Sequence, residues 1–519
     1  MNKTMQTPFV ESVFQQRMLF ITMFLLTAIE FLQNGMFAFA ASPIMGETGM
    51  SPEEYGLVTV AYACVAIVTI SKQRWIIERT GWRQYMLGSI LIFITGAFMC
   101  AQSDTYHGFL FARIIMGMGG AAFMTASRVL VNLIPPSPRR FLGIKAFSGG
   151  LITGIAFAPW LAALAVTNDT YASLYYILIV IALVVMLFSL YSLPNSVPAK
   201  ELRSQSHPFM LMLLTAGVFC LLWAFQRSRY DFFSDTLILL TVAVTGLSAC
   251  YYFFRSIKRF NGHPFLMLET LISNKRFMVG IILYAVCYLV MGANNTVYPQ
   301  FVQNALGFTW AAAGKWQTIG MLTIFVTWFT MDQIMPRRPS SKKFFVVGFL
   351  ALAAYGFFMT GITPNANLIK DVLPALALNG IFLILVMATT AMQTFREVQD
   401  NETVFSHGQQ VKNMIAQLCM ALGIAFGTLL IQWKSTVHYA YLNTRLNTAD
   451  QIYQSTTQQI MSAYDQYANS IDTQSAALSW VASSVKTQSL LLACIDYYWV
   501  VCILGITGAT IMLKQNFMK

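Results

Sequence analysis

The sequence predicts an all-α membrane protein with about fourteen transmembrane helices, on three observations. Apolar residues make up 56% of the 519 and charged ones 10%, against about a quarter charged in a soluble domain. A chain so composed cannot clothe a globule in water-compatible side chains. The apolar residues gather into runs of about 20, each long enough to cross a hydrocarbon core of roughly 30 Å. Backbone amides at that depth find partners only within their own segment, so the runs are expected to be helices. A β-barrel needs short alternating segments instead, and these runs do not alternate. The third observation is that basic residues concentrate between the runs.

In order, the spans are expected to begin near Met18, Tyr55, Tyr85, Gly108, Gly143, Ala172 and Pro208, then Phe232, Phe277, Ala312, Phe344, Asp371, Val411 and Ser489. The polar N-terminus lacks the pattern of a cleavable signal, so the first span is expected to remain as an anchor. Alternate loops fall on opposite sides. One set, from Lys3 and Arg17 through Arg139, Arg140 and Lys342 to Lys412, Lys514 and Lys519, holds about two dozen basic residues. The other holds Arg227, Arg229, Lys370, Lys434, Arg445 and Lys486. The positive-inside rule then puts both termini in the cytoplasm of a multi-pass inner-membrane protein, and an even number of spans requires the same. The net charge of +12 therefore reads as topology, and no nucleic-acid partner is expected. The eight cysteines form no close pair, so neither a disulfide framework nor a metal site is indicated.

The segment 434–488 on the outer side is rich in Gln, Ser, Thr and Tyr and free of Pro and Gly between its basic ends. Polar helix formers without breakers predict a helical excursion rather than a floppy linker.

Three motifs follow in chain order. Between spans 2 and 3 lies Glu78-Arg79-Thr80-Gly81-Trp82-Arg83, a tight turn whose charges can lock neighbouring helix ends. A related acidic-then-basic loop after span 10 carries Asp332, Arg337 and Arg338. Span 4 holds Arg113 followed by Gly117, Gly119 and Gly120. A guanidinium at membrane depth needs a partner, and the glycines permit close helix approach. Span 5 carries Gly150, Gly154, Ala158 and Pro159, ending in Ala162-Ala163.

These motifs are similar to the loop, fourth-helix and fifth-helix signatures of the major facilitator superfamily. Together with about fourteen spans and a long outer loop before the last, they resemble its fourteen-helix drug:proton antiporter branch, the EmrB/QacA type. Glu78 stands where Asp is usual, Arg74 where a small residue is usual, and alanines replace the last three glycines of the fifth-helix motif. The resemblance implies the major facilitator fold, two six-helix bundles plus two extra helices. Its divisions are a cytoplasmic N-terminus (1–17), an N-terminal bundle (18–193), a linker with the extra pair (194–276), a C-terminal bundle (277–512) that includes the periplasmic loop 434–488, and a cytoplasmic C-terminus (513–519).

The resemblance further implies export of hydrophobic or amphipathic compounds driven by inward proton movement, with no cofactor. The implied partners are a small hydrophobic substrate, protons, the lipid bilayer, a periplasmic membrane-fusion adaptor and an outer-membrane channel. Such coupling needs an acid that titrates in a cavity open alternately to each side. Glu30 and Asn34 lie four residues apart on one helical face. Relatives carry an Asp that aligns with Asn34, which leaves both positions as proton-coupling candidates, with Arg113 influencing the charge. Asp496 is a weaker second acid. Gln33, Tyr298, Gln300 and Gln303 are candidates to line the substrate cavity.

Two other readings remain. The same machinery suits a dedicated exporter of one metabolite class, such as fatty acids or a siderophore, and a non-transporting receptor is a different class. An enzyme is not expected: the five histidines form no HExxH or HxxxH pair, and there is no Gly-x-Ser-x-Gly elbow or phosphate-cradling loop.

Overall fold

The computed structural model describes residues 12–515 except 122, 135–136, 169, 195–203, 206, 232–233, 258–265, 338–339, 448 and 466–472. Among the described residues 14 helical spans are long and apolar enough to cross a membrane, and there is no strand. The first half comprises α1 (Val13–Phe39), the short α2 (Ala41–Thr48), α3 (Pro52–Thr80) and α4 (Trp82–Ala101), then α5 (Tyr106–Gly120), α6 (Phe123–Leu133), α7 (Pro138–Asn168) and α8 (Ala172–Ser192). The extra pair is α9 (Pro208–Asp231) and α10 (Thr236–Ile257). The second half runs through α11 (Leu268–Ser273), α12 (Lys275–Pro299), α13 (Trp310–Met321), α14 (Thr323–Arg337), α15 (Lys342–Thr360) and α16 (Leu373–Thr394). It closes with α17 (Glu402–Arg445), α18 (Gln451–Asp465) and α19 (Thr473–Lys514).

Local chemistry sets many of these boundaries. Ser51 and Glu54 form a reciprocal capping box at the start of α3, with Pro52 in the first turn, where a missing N–H costs nothing. Gly81 joins α3 to α4 at φ +81°, a conformation that only glycine takes without strain. Asn274, Asn367 and Asn401 accept hydrogen bonds from the exposed N–H groups of the helices that follow them.

The spans depart from simple rods in four places, one of them a π-helical turn, Gln300–Ala305, that ends the ninth. The fourth span breaks after Gly120 into α5 and α6, and the tenth breaks at Leu322 into α13 and α14. The twelfth begins with a π-helical turn, Leu368–Val372. The last two membrane helices also start earlier than their apolar runs, α17 at Glu402 and α19 at Thr473. Hydropathy sees only the lipid-embedded stretch, whereas the polar flanks continue the same hydrogen-bonded spiral.

Glycine contacts show how the two halves are each assembled, and they repeat. A Cβ at Gly150 would lie 2.1 Å from the carbonyl oxygen of Phe24, and one at Gly154 would lie 2.6 Å from that of Ala28. Thus α7 rides directly on the backbone of α1. In the second half a Cβ at Gly423 would lie 2.1 Å from the carbonyl oxygen of Leu289, and Gly427 faces Ala293. There α17 rides on α12 with the same four-residue spacing, as expected of a duplicated bundle.

The extra pair attaches to the first half. Gly217 and Gly246 let α9 and α10 approach closely, with Cys250 and Leu221 against them. Helix α9 docks on α3, where Gln226 covers Gly56 and Arg227 pairs with Glu53. Helix α10 leaves Leu237, Leu240, Val244 and Leu247 exposed, an apolar face suited to lipid.

Candidate functional site

Glu30 sits in the middle of α1 and is 2% exposed. Three amides converge on its carboxyl group. Oε1 accepts from Gln417 Nε2 at 3.0 Å and from Asn34 Nδ2 at 3.3 Å, and Oε2 accepts from Gln33 Nε2 at 3.4 Å. Gln33 and Asn34 belong to α1 itself, but Gln417 comes from α17 in the opposite half. Asn34 also donates to the Glu30 carbonyl at 3.0 Å, one turn back. No described residue forms an ion pair with Glu30 within 4.0 Å.

Arg113 is 1% exposed, so it does not snorkel to an interface. Its guanidinium lies between two rings, 4.1 Å from the centroid of Phe37 and 4.4 Å from that of Tyr62, and Nη1 contacts the Met116 sulfur at 3.4 Å. Aromatic faces supply the compensation that a buried cation requires. No carboxylate pairs with it among the described residues. Its link to Glu30 is indirect: Gln33 Nε2 donates to Tyr62 Oη at 2.7 Å, and the same Tyr62 ring stacks on Arg113.

Several cavities follow the seam between the halves. One lies beside Glu30, Asn34, Tyr288, Asn413 and Gln417. A second, lined by Phe37, Tyr62 and Arg113, shares Asn34, Gln417 and Met420 with it. A third is walled by Phe31, Gly35, Ala158 and Pro159 on one side and by Asn294, Gln317 and Asn379 on the other. Asn294 donates to Asn379 at 3.2 Å and accepts from Tyr497 at 2.7 Å. A fourth, toward the basic helix ends, contains Arg128 and Lys412. Sequence analysis counted Lys412 with the cytoplasmic loop charges, but it is 2% exposed inside the bundle. Hydropathy missed Arg128 as well, because one charge in a run of apolar residues barely lowers the average. A lone cation inside such a run was the available signal.

The motif loops reach across the seam. Arg74 Nε pairs with Glu78 at 2.7 Å, while its other nitrogens donate to the Thr403 carbonyl at 3.3 Å and hydroxyl at 3.2 Å, at the start of α17. The residue that departs from the expected loop pattern is therefore the one that ties the loop to the opposite half. Arg79 stacks on Trp75 and donates to the carbonyls of Trp75 and Ser204, each at 2.9 Å. The Arg83 backbone N–H donates to the Pro194 carbonyl at 3.3 Å. Asp332 pairs with Lys145 of α7 at 2.8 Å. Arg337 ends α14, and Arg338 lies outside the described residues.

The packing residues take up the places expected of small side chains. Gly117 faces the Tyr62 ring, Gly119 the backbone of Ser89 and Phe93, and Gly120 the Phe93 ring and Gln33. Ala158 fills the hollow at Gly35, and the Pro159 carbonyl lies against Gly314 of α13. Tyr298 is buried at the end of α12 and donates to the Ala313 carbonyl at 3.4 Å. Gln300 and Gln303 lie in the π-helical turn that follows. None of these three lines the cavities described above. Asp496 is tied up by Lys434 at 3.2 Å and His438 at 3.1 Å, and so makes a poor acid for coupling.

Comparison with known proteins agrees with this architecture. The description "Major Facilitator Superfamily" belongs to the family whose sequence profile matches residues 23–428. The multidrug export protein EmrB of Haemophilus influenzae is 21% identical over 511 residues, covering 96% of this chain and 94% of that protein. An uncharacterized MFS-type transporter of Bacillus subtilis, YhcA, is 21% identical over 409 residues, 78% of this chain and 75% of the other. Among solved structures, a bacterial homolog of the human lysosomal transporter Spinster, inward-facing and unoccupied, superposes with a TM-score of 0.56 at 12% identity, covering 97% of this chain and 98% of that one. The chain is a transporter rather than an enzyme and belongs to the Major Facilitator Superfamily, as a fourteen-helix member.

Proposed function

We propose that this chain is a proton-coupled exporter of hydrophobic or amphipathic compounds, working by alternating access in the inner membrane with both termini cytoplasmic. One observation carries the reading: a carboxyl group buried at membrane depth and held by amides from both halves of the molecule. An ionised carboxylate accepts at both oxygens. Proton uptake turns one oxygen into a hydroxyl that donates and accepts less readily, so the hold of the three amides on the group loosens. Gln417 is the amide from the opposite half, and through it that loosening reaches the packing of α17 against α1. Proton occupancy thereby biases the halves toward different openings. The multidrug export names of relatives support the cargo class, and the adjoining cavities, walled by Met, Phe and Tyr with a few amides, suit varied apolar ligands.

The outer helical projection, the end of α17 with α18 and the start of α19, is proposed to dock a periplasmic adaptor that leads to an outer-membrane channel. Its support is composition: α18 exposes Ile452 and is otherwise rich in Gln, Ser and Thr.

Reconstitution tests the coupling. Proteoliposomes with an imposed pH gradient are expected to show cargo-driven proton flux, and Glu30→Gln is expected to abolish it while cargo binding persists. Full flux in the Glu30→Gln variant would discard Glu30 as the coupling acid.

A further inference from the structure

The fourth cavity holds a feature that proton coupling does not use. Arg128, from α6 in the first half, and Lys412, from α17 in the second, both line the same space. Lys412 is 2% exposed, and Arg128 Nη1 is buried without a hydrogen-bond partner. Among the described residues neither cation has a carboxylate within 4.0 Å. Their neighbours are ring faces: Tyr284 lies 5.2 Å from Lys412 Nζ, and Phe405 and Phe147 lie 5.6 and 5.9 Å from the Arg128 guanidinium.

Two like charges at membrane depth are costly unless an anion joins them. A guanidinium keeps its charge under any ordinary condition, so the site cannot escape by releasing both protons. Arg113, a buried arginine nearer the other end of the same span, has its rings packed at about 4 Å on two sides. Arg128 lacks that close sandwich. Ser148 and Gln409 add polar groups to the wall, but most of the rest is apolar, with Leu151, Ile384, Met387 and Phe395. A charged end and a greasy body therefore share one space. The cavity also shares Met124 and Tyr288 with the one beside Glu30, so cargo bound here lies next to the coupling acid.

We infer that the cavity between Arg128 and Lys412 is a binding site for amphiphilic organic anions, with the anionic head between the two cations and the apolar body against Leu151, Ile384 and Met387. The inference rests on the exporter reading above and narrows its cargo to lipophilic anions rather than lipophilic cations. Because the two cations come from opposite halves, a bound anion bridges the seam and favours the arrangement in which they face each other.

The test uses three probes with the same twelve-carbon tail, dodecanoate, dodecanol and dodecyltrimethylammonium, and the full-length protein purified in neutral detergent. Binding is read by intrinsic fluorescence and by calorimetry. Wild type is expected to bind dodecanoate best. Arg128→Met and Lys412→Met are each expected to weaken dodecanoate at least about tenfold and to leave dodecanol unchanged. Arg128→Lys and Lys412→Arg are expected to retain most of the affinity, which separates loss of charge from loss of fold. Equal binding of dodecyltrimethylammonium, or equal loss of dodecanol and dodecanoate in the Met variants, overturns the anion site. Nanodiscs of phosphatidylcholine with or without phosphatidylglycerol distinguish a lipid headgroup from cargo. If phosphatidylglycerol displaces dodecanoate stoichiometrically and no dodecanoate is transported, the cavity holds a lipid and the cargo assignment fails. Dodecanoate binding without proton-driven transport leaves the anion site standing and removes the exporter reading. Proton flux driven only by dodecyltrimethylammonium does the reverse.

Discussion

At the scale of single residues, the proposed coupling acid was easy to single out because a carboxyl group in a long apolar run is conspicuous, whereas its partners were not. Glu30 and Asn34 share a helical face by spacing alone. Gln417 stands 387 positions further along the chain, and no local pattern connects it to Glu30. Arg113 illustrates the same limit. Its need for compensation follows from burial, but the compensation turns out to be Phe37 and Tyr62 rather than a carboxylate. These contacts allow two predictions. Gln417→Leu removes a charge-assisted hydrogen bond worth about 1.5–3 kcal/mol, so proton-coupled transport is expected to fall about tenfold or more in proteoliposomes. Cargo binding in detergent is expected to hold. Wild-type coupling in that variant rules out Gln417 as the bridge. Arg113→Leu leaves Tyr62 and Phe37 with no cation between them and is expected to impair both folding yield and transport. Arg113→Lys keeps a charge for the rings and is expected to restore yield. A yield equally poor in both would mean that the shape of the guanidinium, not its charge, is what the rings require.

At the scale of helices, all fourteen spans were legible from apolar runs of bilayer length, and their breaks were not. Just before the interruption after Gly120, α5 packs closely on α4, where a Cβ at Gly119 would lie 2.4 Å from the Ser89 carbonyl oxygen. Such contact depends on a neighbour distant in sequence, which hydropathy averages away. The paired contacts of Gly150 on Phe24 and of Gly423 on Leu289 make a symmetrical prediction. Gly150→Ala and Gly423→Ala each force two helix backbones apart and are expected to cost about 1–3 kcal/mol by overpacking. Thermal unfolding of the purified protein in detergent should show a similar drop in midpoint for both. A drop in one alone would mean that the two halves are not built on the same joint. For the outer projection, excising residues 447–481 is expected to abolish export from cells while proteoliposome transport persists. Loss of both activities would assign the segment to folding.

At the scale of the whole molecule, contacts between the halves occur at both ends of the seam. Toward the basic ends lie the Lys145–Asp332 pair, the Arg74–Glu78 pair reaching Thr403, and Gln410 donating to the Ile70 carbonyl at 2.8 Å. Toward the opposite ends Phe39 meets Trp310 edge-on and Pro159 meets Gly314. Alternating access requires that one set part while the other holds. The two charged contacts differ in weight. Lys145 and Asp332 have side chains 36% and 28% exposed, so solvent and salt screen the pair to about 1 kcal/mol or less. Arg74 is more buried, and it joins Glu78 to a backbone carbonyl and a hydroxyl of the other half at once. Asp332→Asn is therefore expected to change the balance of states little, with an effect that vanishes at high salt. Arg74→Ala removes the link from Glu78 to Thr403 and leaves only the Gln410–Ile70 hydrogen bond named above between α3 and α17. A loss of about 1–2 kcal/mol shifts a two-state balance roughly 5- to 30-fold toward the form open at the basic ends. Distances between spin labels on the turns of α3 and α17 that flank Arg74 and Thr403, in a cysteine-free background, report that shift as growth of a longer population. If Arg74→Ala leaves the distribution as in wild type while Asp332→Asn widens it, the junction that governs opening is the one between α7 and α14 instead.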